Sequence, residues 1–388
     1  MVELGCERLL SDPQYFRLVE GRRVGLVTNP SGVDRRLRAT ADVLHAHADV
    51  ELVMLFGPEH GIRGDAEDGV GVESAVDART GVPAVSLYGE RRQPTPEELD
   101  QVDVLLFDIQ DVGVRFYTYL YTMSLAMEAC AEAGVPFVVL DRPNPLGGLV
   151  VEGNVLEAPA FVSFVGRYPI PVRYGLTVGE LAGLFNEEYG IGADLHVVEM
   201  RGWRRSMRWR DTSIPWVPPS PNMPTLETVA VYPGMCFFEG TNVSEGRGTA
   251  SPFEQIGAPY IDGFTLAGRA EALGLPAAVV RPVFFQPSFG KHEGLSCAGV
   301  QLHVTGGEGF SPVRTGFHLL AAVCRGWPEE FEWRTNPEGI HNFDKLAGTD
   351  TVREALDAGA DVDDLIDQWA RDRHPFEECR RRHLRYCG

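Results

Sequence analysis

Short apolar runs alternate with helix-like segments over the first 145 residues of the chain. The runs are rich in Val, Leu, Ile and Phe, and they are short enough to be buried strands. They cover residues 23–29, 51–56, 84–88, 103–109 and 137–140. Apolar residues spaced by three and four positions predict helices between the runs, the first from about residue 36 to residue 47. Strands and helices that alternate in this way predict a parallel, Rossmann-like sheet.

The pattern changes beyond residue 145. Residues 214–227 carry five prolines, which predicts a rigid loop without regular structure. Later apolar runs predict strands at 278–283 and 300–304 and helices near 312–324 and 352–369. We therefore predict an α/β protein with a Rossmann-like parallel-sheet domain at residues 1–160, a connecting region with proline- and glycine-rich loops at residues 161–256, and a second, smaller α+β domain at residues 257–388.

Polar residues follow the predicted strands of the first domain. The clearest case is the turn Pro58-Glu59-His60-Gly61, which ends the strand at 51–56. Ligands of open α/β sheets bind beside the carboxyl ends of the strands, so we expect these polar side chains to meet at one edge. The strand-end candidates are Asn29, Glu59, His60, Asp108, Gln110, Asp111, Asp141, Arg142 and Asn144.

Composition and charge exclude several classes of partner. A net charge of -20 and a pI near 4.9 argue against nucleic-acid binding, because neutralising phosphates requires clustered cations. No run of about eighteen apolar residues is present, so we expect no membrane insertion. The N-terminus has early acidic residues in place of a basic segment followed by an apolar one, which predicts a cytoplasmic protein.

The sequence also lacks the common cofactor motifs. It contains no GxxxxGK[ST], HExxH or GxSxG, and Gly69-Val70-Gly71 lacks the third glycine of a dinucleotide fingerprint. The seven cysteines form no CxxC pair, which favours free thiols over a zinc site. We therefore predict no cofactor and no metal, and the sequence leaves the oligomeric state open.

Carboxylates in glycine-bounded turns are the main chemical feature of the chain. Glu59, Asp108 and Asp111 lie in turns of the first domain, and Glu239 and Glu245 lie in a later glycine-rich segment. Two carboxylates in one cleft are the minimum for glycoside hydrolysis, in which one donates a proton and the other acts on the anomeric carbon or on a water. The sequence does not identify which carboxylate faces Glu59.

Aromatic and arginine residues beside these carboxylates fit a sugar that carries an anionic group. Tyr117 is able to stack on a sugar face, and Arg115, Arg142 and Arg247 have the fork geometry for a carboxylate. Structural roles compete with each of these assignments. Asp108 can cap a helix, Arg115 can pair with Asp111, and Tyr117 can pack in the core.

Two other functions are compatible with the same residues. A non-catalytic sugar-binding protein needs the arginines and aromatic rings but no pair of carboxylates. A metal-dependent hydrolase would use Glu59, His60 and Asp108 as ligands, although a single histidine makes a weak transition-metal site.

Taken together, seven motifs resemble the glycoside hydrolase family of exo-β-N-acetylmuramidases. They lie in one order and span nearly the whole chain, which makes the resemblance more specific than any single short pattern. The motifs are GLVTNPSGVD (25–34), LFGPEHGIRG (55–64), LLFDIQDVGVRFYTYLYTM (105–123), DRPNPLGG (141–148), SFVGRYPIPVRYGLT (163–177), PSPNMPTLETVAVYPGMCFFEGTNVSEGRG (219–248) and GVQLHVT (299–305).

The resemblance implies a Rossmann-like N-terminal domain, a smaller C-terminal domain and a cleft where they join. It also implies release of β-linked N-acetylmuramic acid from the non-reducing end of peptidoglycan fragments, with a muropeptide or a peptidoglycan-derived disaccharide as substrate and without nucleotide or metal. The family's proposed catalytic glutamate corresponds to Glu59 in the PEHG motif. The lactyl carboxylate of muramic acid gives the arginine-bearing turns a specific purpose.

These considerations define two groups of predicted site residues. The catalytic candidates are Glu59, His60, Asp111, Asp108, Glu245 and Glu239. The substrate-binding candidates are Asn29, Gln110, Arg115, Tyr117, Asp141, Arg142, Asn144, Asn222, Asn242 and Arg247.

Overall fold

The computed structural model describes residues 1–59, 61–63, 75–89, 91–306 and 309–388. Its strands are β1 (Arg23–Thr28), β2 (Glu51–Gly57), β3 (Ala75–Val76), β4 (Pro83–Ser86), β5 (Val104–Asp108), β6 (Phe137–Leu140), β7 (Glu152–Val155), β8 (Pro171–Arg173), β9 (Leu195–Val198), β10 (Gln255–Ala258), β11 (Ala278–Phe285) and β12 (Cys297–Val304). Its helices are α1 (Gly5–Ser11), α2 (Pro13–Phe16), α3 (Thr40–His45), α4 (Pro96–Leu99), α5 (Tyr119–Ala133), α6 (Val178–Glu188), α7 (Trp209–Thr212), α8 (Leu226–Met235), α9 (Gly263–Ala272), α10 (Pro312–Gly326), α11 (Asn342–Ala347), α12 (Thr351–Asp357), α13 (Val362–Asp372) and α14 (His374–Arg382). A 3-10 helix covers Cys236–Gly240.

The main layer is a sheet with the strand order β3-β4-β2-β1-β5-β6-β9 in the described residues. Its strand pairs are parallel except at the edge, where β3 runs antiparallel to β4. Strand β5, in the interior of this sheet, is buried at every position. Leu105 and Phe107 pack into one hydrophobic core, and Val104 and Leu106 pack into the other. Burial on both faces explains the continuous apolar runs, and the predicted parallel sheet is confirmed.

The first predicted helix is shorter than expected. α3 begins at Thr40, whereas the apolar spacing predicts a start near residue 36. Leu37 has φ +61°, and Asp34 Oδ1 accepts backbone hydrogen bonds from Arg36 at 2.8 Å and Arg38 at 2.9 Å. A turn capped by an aspartate therefore replaces the first helical turn, because the side chain satisfies backbone donors locally.

A smaller antiparallel sheet with the order β10-β12-β11 forms the second region. α9 packs on β11 and β12, and α10 packs on α9, which confirms the predicted second α+β unit. The single helix predicted at 352–369 is wrong, because the chain forms α12 and α13 with a break between them. Gly359 lies in that break with φ +76°, a conformation that ends a helix readily.

The two regions are closely connected. Strand β9, from the predicted connecting region, pairs with β6 at one edge of the main sheet. α8 crosses α10 where Gly234 and Gly316 meet, and a Cβ at Gly234 would lie 1.8 Å from the Pro312 carbonyl oxygen. The boundaries near residues 160 and 256 stay a prediction. None of the helices in the described part of the chain combines the length and apolar character that a membrane crossing requires.

Candidate active site

A cavity of about 410 Å³ lies beside the carboxyl end of β2. Glu59 enters it from the turn after β2, and Tyr117 and Tyr119 enter it from the start of α5. The remaining polar lining comes from other segments of the chain. It includes Tyr88, Ser220, Asn222, Tyr232, Glu239 and Arg247. Segments far apart in sequence therefore build one site, which we call the catalytic cavity because it contains the predicted catalytic residue Glu59.

A tight turn presents Glu59 to the catalytic cavity. Gly61 has φ +74°, and its N–H donates to the Pro58 carbonyl oxygen at 3.0 Å. A Cβ at Gly57 would lie 3.0 Å from the backbone nitrogen of Ile62, so the chain folds back closely on the strand end. Glycine suits both positions, because one has a positive φ and the other allows a close backbone approach.

The proline-rich loop is fastened to the sheet edge by two hydrogen bonds to one carbonyl. The Pro219 carbonyl oxygen accepts from Asn29 Nδ2 at 2.9 Å and from the Tyr119 hydroxyl at 2.8 Å. Asn29, predicted to bind substrate, is buried and bonds to this loop. Through the loop it places Ser220 and Asn222 in the lining of the catalytic cavity.

Glu239 is the second carboxylate that lines the catalytic cavity in the described residues. It lies in the 3-10 helix, and its Oε1 is 2.7 Å from a terminal nitrogen of Arg247. The Arg247 guanidinium also lies over the Phe253 ring, 5.2 Å from the ring centroid. An arginine held in this way favours the ionised form of the carboxylate beside it.

A second cavity of about 310 Å³ adjoins the catalytic cavity. Both are lined by Val165, Glu239, Arg247 and Leu346. The second cavity adds Glu245, Lys291, Arg334, Asn342 and Lys345. It contains four cationic side chains, and we call it the cationic annex.

Glu245 is buried in the wall of the cationic annex. Its Oε2 lies 2.6 Å from Lys291 Nζ, and its Oε1 lies 3.8 Å from Arg247 Nε. Burial by itself would raise the pKa of Glu245, but Lys291 and Arg247 hold it below its usual value. Lys291 also donates to the carbonyl oxygens of Phe238 at 2.7 Å and Thr241 at 3.0 Å. The pair therefore fixes the segment on either side of Glu239.

Asp108 and Arg142 form a buried ion pair that lines neither cavity. Arg142 Nε lies 2.6 Å from Asp108 Oδ1, and a terminal nitrogen lies 2.9 Å from Oδ2. Thr40 donates to the same carboxylate at 2.6 Å. Both charged side chains are almost completely buried, so this geometry gives the pair a structural role.

Asp111 and Asp141 are also interior carboxyl groups. Burial raises the pKa of each to about 6. Asp111 Oδ2 accepts from the Tyr174 hydroxyl and from the Gly113 N–H, and Asp141 accepts from Tyr386 and Thr177 hydroxyls. Neither carboxyl lines the catalytic cavity or the annex.

Arg115 lies in the interior and connects the two halves of the chain. Its guanidinium donates to the carbonyl oxygens of Asn154 at 2.8 Å and Ile170 at 2.9 Å, and to those of Leu346 at 3.0 Å and Ala347 at 2.7 Å. Burial lowers its pKa to about 10. Arg115 is thus placed to hold α11 against the first region, and it does not reach either cavity.

Three more predicted binding residues make internal hydrogen bonds. Gln110 Nε2 donates to the Pro143 carbonyl oxygen at 2.8 Å, and Asn144 Nδ2 donates to that of Leu176 at 2.8 Å. Asn242 Oδ1 accepts from the Tyr260 hydroxyl at 2.8 Å. In contrast, Tyr117 and Asn222 line the catalytic cavity. His60 lies outside the residues that the structure describes.

Sequence reasoning missed Lys291, Arg334 and Lys345. The sequence offered a signal for two of them, because Lys291 and Lys345 are the two lysines of a chain whose other basic residues are arginines. Their convergence depends on the fold, because they are far from Glu59 in sequence.

A possible metal-binding cluster lies elsewhere in the described residues. Glu188, Cys379 and His383 place one ligand atom each within 4.8 Å of one another. None of the three lines the catalytic cavity or the annex. In the alternative metal site with Glu59 and His60, the third ligand Asp108 is already bound by Arg142 and Thr40.

Comparisons with known proteins agree with the fold and with the sequence motifs. Residues 24–227 match the family described as Exo-beta-N-acetylmuramidase NamZ, N-terminal, and residues 230–386 match its C-terminal counterpart. Peptidoglycan beta-N-acetylmuramidase NamZ of Bacillus subtilis is 49% identical over 385 residues, which cover 99% of this chain and 91% of that protein.

Two crystal structures of DUF1343 family proteins from Bacteroides fragilis have similar folds. One has a TM-score of 0.90 and 38% identity and covers 99% of both chains. The other has a TM-score of 0.78 and 31% identity and covers 100% of this chain and 99% of its own. The two family matches together cover both regions of the chain, and the relative from Bacillus subtilis aligns with almost the whole of this chain. The chain belongs to the exo-β-N-acetylmuramidase NamZ family.

Proposed function

We propose that this protein is an exo-acting glycoside hydrolase that releases β-linked N-acetylmuramic acid from the non-reducing end of peptidoglycan fragments. One structural observation carries the proposal: Glu59 and Glu239, from distant segments, line the same cavity. Family membership supplies the substrate class. The volume of about 410 Å³ falls in the range of small-molecule sites, which suits a terminal sugar.

In this proposal Glu59 is the proton donor to the glycosidic oxygen. The backbone of Glu59 is held by the tight turn at Gly57 and Gly61, and the Tyr119 hydroxyl lies 3.5 Å from the Glu59 carbonyl oxygen. A catalytic acid must lie within hydrogen-bond reach of the oxygen that it protonates, and a rigid turn meets that requirement.

Glu239 is the proposed second carboxylate. Its ion pair with Arg247 favours the charged form, which is needed to attack the anomeric carbon or to activate a water. Tyr117 and Tyr119 provide aromatic surfaces for the sugar ring in the same cavity. Among the other predicted catalytic candidates, Asp108 and Asp111 are interior groups, and Glu245 pairs with Lys291 outside the catalytic cavity, so none of the three has a role in this mechanism.

The decisive experiment uses a β-1,4-linked muramyl-glucosamine disaccharide. We expect the protein to release free N-acetylmuramic acid, detected by mass spectrometry, and Glu239→Gln to release it at least about a hundredfold more slowly. Glu227→Gln makes the same chemical change at an exposed site and should act like the wild type.

Activity should survive exhaustive chelation, and loss of activity on chelation would favour a metal-dependent hydrolase.

Calorimetry distinguishes the remaining alternative. A non-catalytic binding protein would bind the disaccharide without releasing product, and the wild type and Glu239→Gln would not differ in product release. Proton NMR of the first product formed would show whether the anomeric configuration is retained or inverted.

A further inference from the structure

The cationic annex opens from the catalytic cavity and has its own charge. Arg247, Lys291, Arg334 and Lys345 line this space of about 310 Å³ together with Glu239 and Glu245, which leaves two positive charges in excess. The whole chain has a net charge of -20. A local excess of cations beside the active site of an acidic protein indicates a binding region for an anionic group.

The four cations divide into two pairs. Lys291 and Arg247 have carboxylate partners in Glu245 and Glu239. In the part of the chain that the structure describes, neither Arg334 nor Lys345 has a carboxylate within ion-pair distance. Arg334 is exposed and Lys345 is half-buried. These two side chains therefore have charge available for a ligand.

Backbone contacts place both residues beside Glu239. The Arg334 N–H donates to the carbonyl oxygen of Gly240 at 2.9 Å, and the Arg334 carbonyl oxygen accepts from the Asn342 N–H at 2.9 Å. Lys345 lies one turn further along α11. A Cβ at Gly240 would lie 2.5 Å from Phe343 Cα, so α11 packs directly on the 3-10 helix.

α11 is also fastened from its other end. Its last residues, Leu346 and Ala347, accept hydrogen bonds from Arg115, and Asn154 Nδ2 donates to the Ala347 carbonyl oxygen at 2.7 Å. The backbone that carries Lys345 is therefore fixed before a ligand binds, which lowers the conformational entropy lost on binding.

We propose that Lys345 and Arg334 bind the carboxylate of the lactyl substituent and make the enzyme specific for muramoyl sugars. This inference rests on the proposed function. Muramic acid differs from glucosamine by this ether-linked carboxylate, and the annex adjoins the cavity that would hold the sugar ring. Arg115 and Arg142, which the sequence suggested for this group, are buried away from both cavities.

The test compares two chromogenic β-muramides, one with a free lactyl carboxyl group and one with that group blocked as its methyl ester. We expect the wild type to hydrolyse the free acid with a kcat/KM about tenfold to a hundredfold above that of the ester, as for a hydrogen bond to a charged group. In Lys345→Gln and in Arg334→Gln this ratio should shrink toward one, through loss of activity on the free acid alone.

Two controls separate specificity from structure. Lys345→Arg keeps the positive charge and should retain most of the preference for the free acid. Arg204→Gln removes an exposed arginine outside both cavities and should leave both rates unchanged. Equal hydrolysis of acid and ester by the wild type, or an equal loss on both substrates in the variants, would overturn the inference.

A failure of the proposed function gives a different result. If the wild type hydrolyses no muramide, calorimetry with N-acetylmuramic acid and its methyl ester still tests the annex. If the free acid binds more tightly than the ester and this difference is lost in Lys345→Gln, the proposed carboxylate-binding site is supported. Equal binding of acid and ester would reject it.

Discussion

Two sets of acidic side chains in this fold have different surroundings. Asp108, Asp111 and Asp141 lie inside the protein, where arginine, hydroxyl and backbone groups bond to them. Glu59 and Glu239 line the catalytic cavity. An acidic residue after a parallel strand is therefore not enough to define a catalytic group. The difference lies in whether the fold leaves space beside it.

The largest expected effect comes from Glu59→Gln. Loss of the proposed proton donor should lower kcat/KM for a muramide about a hundredfold to ten thousandfold, while the melting temperature stays close to that of the wild type. Glu51→Gln is a matched control, because Glu51 is exposed at the opposite end of the same strand. Normal turnover by Glu59→Gln would contradict the assignment of Glu59 as proton donor, and Glu59 would then have no more catalytic role than the interior carboxylates.

The buried ion pair should affect stability. Arg142→Met leaves the Asp108 carboxylate buried without its guanidinium partner, and we expect the free energy of unfolding to fall by about 3 to 5 kcal/mol. Urea denaturation measures this loss. Adding Asp108→Asn should recover part of it, since the uncompensated charge is then gone. Direct participation of Arg142 in catalysis would instead lower kcat of the folded variant with little change in stability.

A smaller effect should appear in the pH dependence of stability. The pKa of Asp111 is raised to about 6 by burial, above its usual value of 3.8. The native state therefore holds this proton more tightly, and the resulting stability is present below pH 4 and is lost as pH rises through about 6. This rise in pKa corresponds to a loss of at most about 3 kcal/mol in the free energy of unfolding.

Asp111→Asn isolates this contribution. From pH 4.5 to pH 7.5 the free energy of unfolding of the wild type should fall relative to that of the variant. Urea denaturation at each pH measures this change. A pH-independent difference would show that Asp111 does not bind its proton more tightly in the folded protein.

Much of the fold follows from the sequence. The apolar runs that become β1, β2, β5 and β6 are buried on both faces, so their pattern directly reports the parallel sheet. The sequence also determined which residue types follow those strands. It could not reveal the turn at 34–38 or the break after α12, because local hydrogen bonds and a glycine conformation override the helical spacing there.

The assignment of side chains to the interior or to a cavity was decided by tertiary structure. The partners of Asp108, Asp111 and Asp141 include Thr40, Tyr174 and Tyr386, which are 68, 63 and 245 positions away. The pairing of Glu59 with Glu239 in one cavity and the convergence of Lys291, Arg334 and Lys345 also depend on long-range packing. The sequence by itself determined the sheet and the PEHG turn. Only the folded chain decided which charges satisfy one another and which remain available to a substrate.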